Sequence, residues 1–135
     1  MKRLWVDANV ILRFLTGEPE TMARQVMQLM ARAEHGEVVL FISPLVLAEI
    51  IWVLKSFYHY SMGEIAEAIL PLISADGIEI ADRDLAVRAI ELASDRNVDF
   101  LDAYLAVHAA QSDEAVCTFD ESDFNRLPIV WILPE

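Results

Sequence analysis

The chain has 135 residues, 10 Lys and Arg against 22 Asp and Glu, a net charge of −12, 56% hydrophobic residues and a mean hydropathy of +0.37. So apolar a composition excludes a disordered chain, and so acidic a one excludes a DNA binder that works by phosphate neutralisation alone. The lone Cys117 excludes an internal disulfide framework and a cysteine-based zinc site. The length is that of one domain, residues 1–135, and a reducing cytoplasm is the expected location. The apolar run after Met1-Lys2-Arg3 stops at Asp7, too short for a signal peptide.

In chain order, short apolar runs alternate with longer segments of helical period. Residues 4–6 form the first predicted strand, followed by a short helix over 10–15. A helix over 18–34 places Met22, Val26, Leu29, Met30 and Ala33 along one stripe. Residues 38–42 form the second strand. Ser43 then caps a helix that carries Pro44 at its first position and runs to about residue 58. The apolar stretch 38–54 is not read as a membrane span, because Ser43-Pro44 breaks it and Glu49 is costly in lipid. No membrane partner is expected.

Ser61-Met-Gly-Glu64 is a capping box, with Ile65, Ile69, Leu72 and Ile73 following on one face. After a strand at 78–80, Asp82 is placed as the cap of a helix bearing Leu85, Ala89, Ile90 and Ala93, and Asp99 as the cap of another ending near 112. Strands at 115–118 and 129–133 flank a short segment at 121–125. The strands are continuously apolar, the pattern of strands covered on both faces, which also makes Cys117 a small buried hydrophobe. The fold class is α/β: a three-layer sandwich with a central, mainly parallel five-stranded sheet flanked by helices.

In open parallel sheets the functional crevice lies beyond the carboxyl ends of the strands. Asp7 follows the first strand, Asp120 follows the fourth, Glu49 lies early in the helix after the second, and Asp102 lies in the first turn of the helix from Asp99. Each aspartate also has a plain capping or helix-dipole reading, Asp123 included. Glu49 does not. Its helical neighbours are apolar, and no Lys or Arg lies three or four residues away. A desolvated carboxylate there needs an Arg from another segment or a metal ion. One Arg would satisfy Glu49 alone, whereas a divalent cation relieves the repulsion among all four acids. Oxygen ligands select Mg²⁺ or Mn²⁺, and no paired-histidine motif favours zinc. Taken alone, the constellation supports an acidic cleft suited to metal.

Four segments together resemble the motifs of PIN-domain ribonucleases. Val6-Asp7-Ala-Asn9-Val-Ile-Leu-Arg13 resembles the first, Ser43-Pro-Leu-Val-Leu-Ala-Glu49 the second, Asp99-Phe-Leu-Asp102-Ala-Tyr-Leu-Ala106 the third and Thr118-Phe-Asp120-Glu-Ser-Asp123-Phe124 the fourth. They occur in the family's order and span nearly the whole chain, and the short length is similar to VapC-type toxins of toxin–antitoxin pairs. The resemblance implies Asp7, Glu49, Asp102 and Asp120 as Mg²⁺-binding catalytic acids, with Mn²⁺ as a substitute. Asp123 is a further metal candidate, ranked behind Asp120 because it lies farther from the strand end. Asn9 and Thr118 match positions that orient the acids or a water. Arg13 matches a basic position, read equally as a phosphate contact or a surface salt bridge.

The implied reaction is metal-dependent endoribonuclease cleavage of an RNA phosphodiester by water. The implied partners are an RNA substrate, a cognate antitoxin, promoter DNA only through that antitoxin, and a second copy in a homodimer. Trp52 and Phe57 are expected in the core or a dimer interface rather than as base platforms. The alternatives are a non-catalytic PIN-like interaction module, or a PIN nuclease that processes RNA outside any toxin–antitoxin pair. A phosphoaspartate enzyme or receiver domain is disfavoured. Asn9 occupies the place of the hydrolase's second Asp, and no Lys follows residue 55.

Overall fold

The structure, a computed structural model, describes residues 2–135. It divides into two compact units, one ending at Arg83 and the other Asp84–Glu135. The first begins with β1 (Lys2–Trp5), α1 (Ala8–Thr16), α2 (Glu20–Glu34) and β2 (Val38–Ile42). It continues with α3 (Pro44–Ser56), α4 (Met62–Ile73) and β3 (Ile78–Ile80). Its sheet has the order β1-β2-β3 and is parallel throughout, with Lys2 opposite Val38 and Leu40 opposite Ile78. Each parallel pair needs a long crossover, and the helix pairs α1–α2 and α3–α4 supply it. β2, the central strand, buries Val38, Leu40 and Ile42 fully, while three of the four β1 residues are exposed. The expectation that every strand is covered on both faces therefore fails at β1, which is the end strand of this sheet.

Local signals set the helix starts where their geometry is complete. Ser43 Oγ accepts the Leu45 N–H at 3.2 Å, with Pro44 just inside α3. At α4, Ser61 Oγ accepts the Glu64 N–H at 3.1 Å, and Glu64 Oε1 accepts the Ser61 N–H at 2.9 Å. The apolar stretch 38–54 is a strand followed by a helix, and no helix among the described residues is long and apolar enough to cross a membrane. The core of this unit is formed by Ile11, Leu40, Leu47, Ile50, Leu54, Ile65, Ile69 and Ile73, each at most 0% exposed.

The second unit holds α5 (Arg83–Arg96, its first residue counted with the first unit), α6 (Phe100–Gln111), β4 (Val116–Cys117), α7 (Glu121–Phe124) and β5 (Trp131–Ile132). The Asp82 cap expected from sequence is corrected, and the Asp99 cap holds in position only. Asp82 precedes α5 in the left-handed backbone region, at φ 51°, rather than in the extended form of an N-cap. Asp99 has the extended N-cap backbone, but its side chain makes no capping hydrogen bond.

The five-stranded sheet is also corrected: the strands form two parallel sheets, one of three strands and one of two, β4-β5. The reason is local. β4 and β5 are two residues each, joined by Val116 N–H to Val130 O and Thr118 N–H to Ile132 O, both at 2.9 Å. Turns at Leu127–Ile129 and Phe119–Glu121 close off both ends. Cys117 is consequently exposed rather than buried.

Gly77 joins α4 to β3 at φ 81°, and its carbonyl accepts the Leu40 N–H at 2.8 Å. An added Cβ would lie 2.4 Å from the Ala33 carbonyl oxygen, whereas one at Gly36 (φ 78°) meets nothing within 4 Å. Gly36→Ala is therefore expected to lose about 1–2 kcal/mol from the left-handed backbone alone. Gly77→Ala should lose a further 1–3 kcal/mol, roughly, from the clash with main chain. Urea unfolding of the two variants checks this, and equal losses would refute the close approach.

Candidate metal centre

The second unit gathers three aspartates. Asp102 sits half-buried in the first turn of α6, at the edge of the face that buries Phe100, Ala103, Ala106 and Val107. Asp120 follows β4 by two residues and caps α7, its Oδ1 accepting the Asp123 N–H at 3.0 Å. The Asp120 N–H in turn donates to Thr118 Oγ1 at 2.9 Å, so Thr118 sets the turn that carries Asp120. Phe124, 2% exposed, anchors α7 from beneath and leaves Asp123 half-buried. The Asp123 Oδ2 accepts the Asp99 N–H at 3.5 Å. One carboxylate oxygen from each of Asp102, Asp120 and Asp123 lies within 4.8 Å of the others.

The capping reading of these residues is correct but incomplete. Asp120 does cap α7, as Asp7 caps α1 by accepting the Val10 N–H at 3.1 Å. A cap contributes about 1 kcal/mol. Two unit charges about 5 Å apart repel by roughly 3 kcal/mol at an effective dielectric near 20, before screening by solvent. Capping thus does not outweigh the cost of bringing three carboxylates together. The strain is visible at Asp102, whose carboxyl is pushed up to about 7. Burial is the largest cause, followed by a hydrogen bond with the Asp123 carboxyl and the negative charges of Asp99, Asp123 and Asp120. Asp102 therefore gives up its proton only near neutral pH, and a cation would take that proton's place.

From sequence, Asp99 opens the third motif and caps α6. Its role here is different: its backbone N–H reaches Asp123 and its charge bears on Asp102. The signal was present as two acids three residues apart at a helix start, a spacing that helix-dipole stabilisation accounts for equally well. Asp123, ranked behind Asp120 in the sequence reading, is as much a part of the cluster as Asp120.

The other site residues belong to the first unit. Asp7 lies two residues beyond β1, although the ladder continues through the Val6 N–H to the Phe41 carbonyl at 3.0 Å. Asn9 is exposed in the first turn of α1. Glu49 is exposed, which corrects the expectation of a desolvated carboxylate. Leu47, Ile50, Ile51 and Leu54 turn to the core, while Leu45 and Trp52 share the outward stripe with Glu49 and are 83% and 66% exposed. No Lys or Arg pairs with Glu49 among the described residues. Trp52 and Phe57, the latter 71% exposed, are not core residues. Among the described residues Arg13 makes no salt bridge: its Nη2 donates to the Tyr58 hydroxyl at 3.5 Å, and its buried Nε has no hydrogen-bond partner.

The PIN domain family model matches residues 4–130. Among solved structures the chain is similar to VapBC2 from Rickettsia felis bound to a DNA fragment from their promoter. That match has 16% identity, covers 100% of both chains and has a TM-score of 0.37. No curated protein matches the chain.

The raised Asp102 carboxyl has a testable sign. Its folded value lies above the ordinary 3.8, so the stability it contributes is complete below that value and lost as pH rises through about 7. Relative to Asp102→Asn, the native chain without divalent ions should lose stability between about pH 4 and about pH 8. Carbon-detected NMR should place the Asp102 titration near 7 and lower in Asp123→Asn. A midpoint in the ordinary carboxylate range would show that the acids are not held together.

Proposed function

The chain belongs to the PIN domain family, and from that premise we propose that it is a divalent-metal-dependent endoribonuclease. Residues 1–135 would form one PIN-like domain, since the family match runs across both compact units. The observation that carries the reading is the gathering of Asp102, Asp120 and Asp123 within 4.8 Å.

The donor set fits a hard cation. It offers carboxylate oxygens and neither histidine nor thiolate, the chemistry that suits Mg²⁺ or Mn²⁺ and disfavours zinc. Asp102, Asp120 and Asp123 would hold the ion. Asp7 and Glu49 complete the family's acidic motifs and are proposed to take part in the reaction. A divalent cation there supplies Lewis acidity toward a phosphodiester and lowers the pKa of an attacking water.

The chain's own residues do the rest. Thr118 fixes the turn of Asp120, and the Asp120 cap fixes the backbone of Asp123. With an ion bound, Asp102 would stand deprotonated. One carboxylate would accept a proton from the water that attacks the phosphorus, while the bond to the 3′ oxygen breaks and that oxygen leaves with a proton from solvent. The nucleophile is water, so the 2′-hydroxyl of RNA has no covalent part in the cleavage.

The biological role that this supports is that of a VapC-type toxin held in check by an antitoxin. The net charge of −12 suits a basic antitoxin segment, and contact with promoter DNA would fall to that partner. The exposed Trp52 and Phe57 support burial in a homodimer.

In calorimetry the purified chain should bind Mn²⁺, and Asp102→Asn should weaken that binding by at least about tenfold. EDTA should abolish RNA cleavage, and a 2′-deoxy substitution at the scissile nucleotide should leave cleavage intact. A folded chain that takes up neither Mn²⁺ nor Mg²⁺ is an interaction module, and cleavage that needs the 2′-hydroxyl and ignores EDTA rules out a water nucleophile.

A further inference from the structure

Phe119 stands apart from the other aromatic residues of its unit. It is 80% exposed, whereas Phe100 and Phe124 are 3% and 2% exposed. It stacks on no other ring among the described residues. It lies between Thr118 and Asp120 on a turn closed twice, by Asp120 N–H to Thr118 Oγ1 at 2.9 Å and by Glu121 N–H to Phe119 O at 3.1 Å. The backbone beneath an unpacked ring is therefore held firmly, one residue from an acid of the cluster.

The charge of this unit shows what such a ring is useful for. Over residues 84–135, three arginines (Arg88, Arg96, Arg126) stand against eleven acids, a net −8. Arg96 Nη1 donates to the Arg126 carbonyl at 2.9 Å and Arg126 Nη1 to the Asn97 carbonyl at 3.1 Å, so two of the three are engaged with main chain. Phosphate neutralisation, the usual source of nucleic-acid affinity, has little to draw on here. Stacking does not need it. An aromatic face accepts any base and contributes roughly 5- to 150-fold in affinity per base.

We propose that Phe119 is the ring on which a base of unpaired RNA stacks when the strand presents a phosphodiester to the Asp102–Asp120–Asp123 cluster. The inference rests on the ribonuclease reading and requires that base to be unpaired, because a base within a duplex does not offer its face. Phe119 positions the strand and takes no part in bond breaking.

The test uses the full chain carrying Asp102→Asn to prevent cleavage. The probe is an unpaired RNA of about 12 nucleotides bearing 2-aminopurine, compared with its duplex. Phe119→Ala should weaken binding of the unpaired RNA about tenfold, or about 1.4 kcal/mol, and abolish the quenching of 2-aminopurine. Phe119→Trp should restore both. The dependence of affinity on salt should be the same for all three, and duplex binding should not distinguish them.

Equal binding by the Ala, Phe and Trp forms overturns the inference. So does an equal loss on duplex RNA, or a Phe119→Ala form that binds RNA normally but no longer binds its protein partner. The ribonuclease reading is tested apart, on the unsubstituted chain with Mn²⁺. No cleavage there sinks that reading even if the oligonucleotide distinguishes the Phe119 variants. Cleavage there, with Phe119 variants that bind alike, sinks the stacking inference alone.

Discussion

Mutual repulsion among Asp102, Asp120 and Asp123 governs the chemistry of this chain. Three carboxylates within 4.8 Å are stable only if the backbone holds them there and if a proton or cation offsets their charge. Both conditions are met by local means. Thr118 and the cap at Asp120 fix one side, the first turn of α6 fixes the other, and Asp102 retains a proton up to about neutral pH.

The frame beneath the acids is apolar and small. Val116, Phe124 and Leu127 are buried around the turn, and Phe100 and Ala103 are buried along α6. Burial of these side chains stabilises by about 1.5–3 kcal/mol for each large one, enough to hold the aspartates against their charge. The same packing leaves Asp102 and Asp123 half-buried, and burial is the largest reason that Asp102 holds its proton. Stability and chemistry therefore come from the same few contacts. The second unit gives up some electrostatic stability to keep its acids together, as functional sites commonly do.

Charge and exposed apolar surface are distributed to match. Fewer than half of the chain's basic residues lie in the unit with the cluster, and two of its three arginines are tied to carbonyls. Exposed apolar groups also lie beside the acids, Phe119 next to Asp120 and Leu101, 59% exposed, next to Asp102, alongside the exposed Glu121 and Ser122. In the other unit, Leu45 and Trp52 flank Glu49 on the outward stripe of α3. Apolar side chains beside carboxylates disfavour an unselective polyanion binder and suit ligands held by shape and stacking.

Much of this was legible from residues a few positions apart. Ser43-Pro44 and the Ser61–Glu64 box placed α3 and α4, and apolar runs placed β2 and β3 at their observed bounds, because caps and strand runs are local in sequence. The acids of the cluster were legible as candidates, since each follows a strand or opens a helix. That Asp102 and Asp120 would meet was expected from their places at strand and helix ends. That Asp123 joins them on equal terms was not, because it depends on the short turn of α7 and its packing rather than on position along a strand. Nor was the exposure of Glu49, Cys117 and Trp52. An apolar neighbourhood along the chain says nothing of which helix face turns outward, or of how soon a strand such as β4 stops pairing. The split of the five strands into two sheets and the engagement of Asp99 with Asp123 have the same cause. Both depend on hydrogen bonds between segments distant in sequence, backbone to backbone in the sheets and backbone N–H to carboxylate at Asp123.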